Sequence, residues 1–148
     1  MATKHTGKEL NPMTSSDATT ISAAHWAGRA LSGLAILFLA FDAAIKLIPI
    51  DPVLQIMGEL GYPGTVDFAR FLGVVTLACL LLYAYPRTAL LGAVLLTGLF
   101  GGAIASKIRI GAPLFSDILF GVYLGLFVWG GLYLRDARLR SLFPVIAR

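Results

Sequence analysis

Asp42 and Lys46 stand four residues apart in a stretch that is otherwise free of charge from Ala30 to Ile50. In a helix that spacing puts a carboxylate and an ammonium on one face, within pairing reach. A charge inside an apolar span costs at least ~2.5 kcal/mol at mid-membrane and less near the surface. The pair therefore reads either as a polar pocket facing a helix bundle, binding a polar headgroup or relaying a proton, or as a local ion pair with Lys46 snorkelling to the surface. Lys107 and Arg109 close a later apolar run, and Arg70 opens another. Together with Asp42, Lys46, Asp67 and Asp117 they are predicted to ring one mouth of the bundle, which makes Asp42, Lys46, Arg70, Lys107 and Arg109 the candidate ligand-binding residues. Taken singly, each also reads as a solvated helix-end charge, and Lys107 at a helix C-terminus complements the macrodipole. No catalytic residue is assigned.

Other chemistries find no support. His5 lies in a polar leader and His25 at the edge of the first span, so no intramembrane pair can ligate haem from two sides. No His/Cys cluster suits iron–sulfur or zinc, and no metal site is expected. Cys79, the single cysteine, sits mid-span without a Cys-x-x-Cys partner and reads as a small buried hydrophobe. Gly101-Gly102 lies within an apolar run, not at a strand–helix turn, so it is no phosphate loop. A redox role would rest on a diffusible cofactor or on a partner subunit.

The elements that must position these residues are four apolar runs. No charged residue falls between Arg29 and Asp42, Arg70 and Arg87, Arg87 and Lys107, or Asp117 and Arg135. Thr88 to Ser106 is 19 residues long, which at about 1.5 Å per residue nearly matches a ~30 Å hydrocarbon core. Only 14% of the residues are charged, against roughly a quarter in soluble domains. The expected fold class is an all-α integral membrane four-helix bundle, with spans at about 26–48, 66–85, 88–107 and 115–134. Four spans and short loops use nearly all of residues 25–140, leaving no room for a soluble catalytic module. Residues 1–24, rich in Ser, Thr and Ala, read as a disordered cytoplasmic tail and not as a signal peptide, and 141–148 as a cytoplasmic C-terminal tail. Pro49 and Pro52 are expected to end the first span. Between spans 1 and 2, Val53, Ile56, Met57 and Leu60 follow helical spacing with Gln55 and Glu59 opposite, predicting a short interfacial helix stopped by Gly61 and Pro63.

Eight basic residues (Lys4, Lys8, Arg29, Arg87, Arg135, Arg138, Arg140, Arg148) flank one side of this topology and four (Lys46, Arg70, Lys107, Arg109) the other. That bias places both termini in the cytoplasm of a cell (inner) membrane. The basic segment 134–140 then faces anionic headgroups, so the lipid bilayer, and not nucleic acid, explains the net charge of +4. Gly98-x-x-x-Gly102 and Gly121-x-x-x-Gly125 are small-xxx-small pairs, expected to let helices approach closely within the bundle or between copies of a homo-oligomer. Trp26, Tyr62, Tyr83, Tyr85, Trp129 and Tyr133 fall mostly near span ends, as interfacial belts do. Lys46 and Lys107 each precede a proline by six residues, an echo too short to separate duplication from coincidence.

Four segments, taken in order, resemble the DoxX-like family: Phe41-Asp42-Ala43-Ala44-Ile45-Lys46, Leu60-Gly61-Tyr62-Pro63, Gly101 to Gly111 and the basic ending Leu134 to Arg140. The resemblance covers about 27–140. It implies a small four-helix membrane protein of a mostly bacterial family, named for a subunit associated with thiosulfate:quinone oxidoreduction. Other relatives are linked to membrane oxidoreductase complexes handling oxidative stress, and distant animal relatives assist receptor assembly. A histidine often follows the small-residue motif of the third span in relatives; here Ser106-Lys107 stand there. The expectations are therefore a membrane subunit of a quinone-linked oxidoreductase system with a membrane or redox protein partner or, alternatively, a non-catalytic assembly factor. A small transporter is disfavoured because few polar residues line the spans.

Overall fold

The computed structural model describes residues 15–48 and 50–142. Helix α1 spans Ser15–Leu47, α2 Asp51–Glu59, α3 Val66–Ala84, α4 Ala89–Arg109, α5 Leu119–Arg135 and α6 Ala137–Leu142. A π-helical turn, Leu114–Ile118, leads directly into α5. Four segments are long and apolar enough to cross a membrane: Ala23–Leu47, Val66–Ala84, Ala89–Arg109 and Leu114–Arg135. They agree with the expected spans to within a few residues, and the short helix between the first two is α2. Helices are the form this sequence must take, because hydrocarbon offers no partner for an unpaired amide. Large apolar side chains such as Leu37, Phe41 and Leu126 point outward, 63–72% exposed, as a lipid-facing surface requires.

Local chemistry sets the helix ends. The Thr65 hydroxyl accepts a hydrogen bond from the Phe68 amide at the start of α3. Gly61 and Gly111 take positive φ (75° and 68°) just after α2 and α4. At each, the next residue's amide reaches back five positions, Tyr62 to the Met57 carbonyl and Ala112 to the Lys107 carbonyl. That pattern closes a helix and favours glycine at the turning point. Pro52 sits in the first turn of α2, where its missing amide proton costs nothing.

Two boundaries differ from the sequence reading. Helix α1 begins at Ser15, so residues 15–24 are helical where a disordered tail was expected. An Ala-containing segment continues a helix already nucleated by the adjoining span at little further entropic cost. Residues 1–14, Pro49 and 143–148 lie outside the described residues. At the other end, α6 extends the helical structure past the fourth span and buries Leu139 against the core.

The four spans form a ring in which α1 touches α3 and α5, and α4 closes the circle between α3 and α5. Tyr83, expected at the interface, is instead fully buried. Its hydroxyl donates to the Val128 carbonyl (2.9 Å) and accepts from the Ser32 hydroxyl (2.9 Å). Arg135 donates to the Tyr83 carbonyl (3.2 Å) and lies over its ring at 5.0 Å. Burying these polar groups is tolerable only because each has a partner.

Of the two small-xxx-small pairs only Gly121 is a helix contact, against Ile104 of α4; the other close approaches fall on glycines outside them. A Cβ at Gly28 would stand 2.9 Å from the Arg135 amide, and one at Gly73 3.2 Å from the Ala43 carbonyl. At Gly92 it would run into the Tyr83 backbone, and at Gly131 into Ser32. By contrast, Gly98, Gly102 and Gly125 have open space where a Cβ would be, and Gly121 meets only Ile104 and the Phe100 carbonyl. Spacing alone shows that small residues share a face; it does not show which face meets a neighbour. Accordingly, Gly92→Leu should lower the thermal midpoint of purified protein by roughly 5–10 °C through overpacking, whereas Gly125→Leu should shift it by less than about 2 °C. Differential scanning fluorimetry in detergent checks both.

Candidate functional site

At the end of the bundle where α2 lies, the spans enclose a cavity of about 490 Å³. Its walls come from α1, α3, α4, α5 and the π-helical turn, and α2 covers it. The lining is mostly apolar, including Leu39, Ile45, Leu72, Phe100, Ile104 and Leu124. Gly98, Gly102 and Gly121 also face it. Gly98 and Gly102, with nothing within 4 Å of a Cβ, make room for the cavity, whereas Gly121 also takes the Ile104 side chain of α4 against it.

Two ion pairs supply the polar part of the wall. Lys46 donates to Asp42 one helical turn earlier on α1. Lys107, in the last turn of α4, donates to Asp117 (2.6 Å), which the π-helical turn carries. Ser116 donates to the second Asp117 oxygen (2.9 Å). A π-helical turn adds a residue to the usual helical repeat and re-aims the side chains beyond it, a device frequent at functional sites. All four charged side chains are partly shielded, 22–38% exposed, and all four line the cavity. Because an ammonium carries three donors and a carboxylate accepts through two oxygens, each pair keeps capacity for a further partner. The cavity thus joins a long apolar wall to a charge-balanced polar end, a combination suited to an amphiphile.

Of the five expected residues, Asp42, Lys46 and Lys107 come together here. Arg70 does not: it is exposed on α3 and lines no part of the cavity. Arg109 is also absent from the lining, because its guanidinium turns to the Leu60 carbonyl and ties the loop after α2 to the end of α4. Helix-end position on the right side was the shared signal, and it could not resolve direction around the helix axis. Tyr62 and Ser106 were missed as a pair. The Tyr62 hydroxyl donates to the Ser106 hydroxyl (2.5 Å), which donates in turn to the Gly102 carbonyl (2.8 Å). Tyr62 also stacks on Phe68 at 5.3 Å. Ser106 next to Lys107 was visible in sequence, but its partner 44 residues away was not. Among the described residues no group of three or more His, Cys, Asp or Glu is placed to hold a metal ion.

Fold and cavity together define a small multi-pass membrane protein, four helices around an amphiphilic pocket. The model of the DoxX-like family matches residues 30–131, and the chain belongs to that family. The match takes in both ion pairs and the Ser32–Tyr83–Val128 contact. Searches of curated proteins and of solved structures find no match.

The pairs make a testable energetic signature. Lys46→Met leaves the Asp42 carboxylate without its ammonium, whereas Asp42→Asn/Lys46→Met leaves no charge. The double variant should be the more stable by about 1 kcal/mol, below the ~2.5 kcal/mol scale for an unpaired mid-membrane charge. A double-mutant cycle on unfolding free energy in mixed micelles measures it.

Proposed function

We propose that this protein is the quinone-holding membrane subunit of an oxidoreductase system in the bacterial inner membrane, with both termini in the cytoplasm. The observation that carries the reading is the cavity, whose apolar length and two ion pairs match a molecule with a hydrocarbon body and a polar ring. A quinone carbonyl accepts from a lysine ammonium and a quinol hydroxyl donates to a carboxylate, so Lys46, Lys107, Asp42 and Asp117 serve both redox states. The chain contributes binding, orientation and exchangeable protons, while electrons come from a partner subunit. Family membership supports the reading at the level of the family's redox associations, and the eight-to-four distribution of basic residues supports the orientation.

Native mass spectrometry of protein gently extracted from its own membrane tests it. A bound mass in the quinone range is expected in the wild type, with occupancy reduced at least tenfold in Asp42→Asn/Lys46→Met. Unchanged occupancy in that variant would remove the ion pair from the site, and no bound mass would sink the quinone reading.

A second reading, an assembly factor for larger membrane proteins, draws on one observation: Gly33, Gly101 and Gly125 leave open space on their helices. Small residues there would let a partner helix approach closely. It predicts that Gly125→Leu abolishes co-purification of a stoichiometric membrane partner while the folded chain and Asp42→Asn retain normal stability and partner binding, respectively.

A further inference from the structure

The cavity has an aqueous end and walls toward the bilayer, and the two are closed in different ways. Over the aqueous end, α2 buries Val53 and Met57 against Ala69 on α3. The loop after α2 is fastened to α4 at two places, by Tyr62 on Ser106 and by Arg109 on the Leu60 carbonyl. Three helix seams are closed beside the cavity. Gly73 lies against Ala43 between α3 and α1, Ile104 is set on Gly121 between α4 and α5, and between α3 and α4 Tyr62 stacks on Phe68 and bonds Ser106. The remaining seam, α1 to α5, is tight where Gly28 and Gly131 lie, but that is far from the ion pairs. Beside the cavity the same seam is spanned by Phe38 and Phe120, whose rings meet edge to face at 5.1 Å. Both rings line the cavity and both are about two-fifths exposed. An edge-to-face pair adds little beyond burial, and a rotamer change at either ring parts it.

Resting on the quinone reading of the cavity, we propose that its ligand is a membrane-dissolved amphiphile that enters sideways from the hydrocarbon between α1 and α5, with Phe38 and Phe120 as the residues that select it. The polar ring passes the two phenylalanines to reach Asp42–Lys46 and Lys107–Asp117, and the tail remains in the seam. Water-soluble analogues without a tail enter slowly because the α2 end stays shut.

The test uses full-length protein in phosphatidylcholine/phosphatidylglycerol vesicles loaded with a tritiated decyl-substituted benzoquinone and chased with unlabelled compound. The dissociation rate should rise at least fivefold in Phe38→Ala/Phe120→Ala and in the milder Phe120→Leu. It should change less than twofold when Tyr62→Cys/Ser106→Cys, in a Cys79→Ala background, is bridged by a bis-methanethiosulfonate reagent whose spacer replaces the tyrosine ring, locking the α2 end. A locked α2 end that slows exchange tenfold, or phenylalanine variants that leave the rate unchanged, would overturn the sideways route while wild-type binding keeps the quinone reading intact. Wild-type protein that retains no label overturns the quinone reading itself, and this route with it.

Discussion

The Tyr83 hydroxyl accepts a hydrogen bond from Ser32 on α1 and donates one to the Val128 carbonyl on α5, so one buried phenol on α3 fixes three spans at once. In lipid this arrangement has unusual leverage. Apolar surface gains little from meeting apolar surface there, and the helices are held by close packing and by hydrogen bonds with few competitors. Around Tyr83 the backbone approaches are also closest, with Gly92 against Tyr83 itself and Gly28 and Gly131 between α1 and α5. These contacts fix one end of the ring firmly.

With that end clamped, the other end can remain wider. There Gly98 and Gly102 make room for the cavity, and α2 covers it from above. A cavity of this size would be a liability in a soluble core, where each missing contact weakens the fold. In a membrane it can be filled by an amphiphile, and the two ion pairs give that occupant somewhere to place its polar end. Close packing and the cavity are thus allotted to opposite ends of the same helices. That separation lets the cavity be loosely walled without weakening the bundle.

The two ion pairs form by different routes. Asp42 and Lys46 need only one helix, and their partnership is settled by spacing. Lys107 and Asp117 need the break at Gly111 to Pro113 and the π-helical turn after it, which together bring the carboxylate back over the end of α4. The positive φ of Gly111 and the fixed φ of Pro113 make that reversal compact.

The amino-acid sequence by itself determined that four spans exist, where they lie and that a short amphipathic helix joins the first two. Unbroken apolar runs, unlike the alternating strands of a barrel, have no alternative to the helix in lipid. It also determined the Asp42–Lys46 pair, because i and i+4 neighbours meet in any helix. Only the tertiary structure decided which glycines are contacts, that Tyr83 is a buried clamp and not an interfacial anchor, and that Arg70 and Arg109 turn away from the cavity that Lys107 lines. Each of those outcomes depends on rotation about a helix axis. Nearly uniform hydrophobicity around a membrane helix removes the polar–apolar contrast that would reveal that rotation in a soluble one.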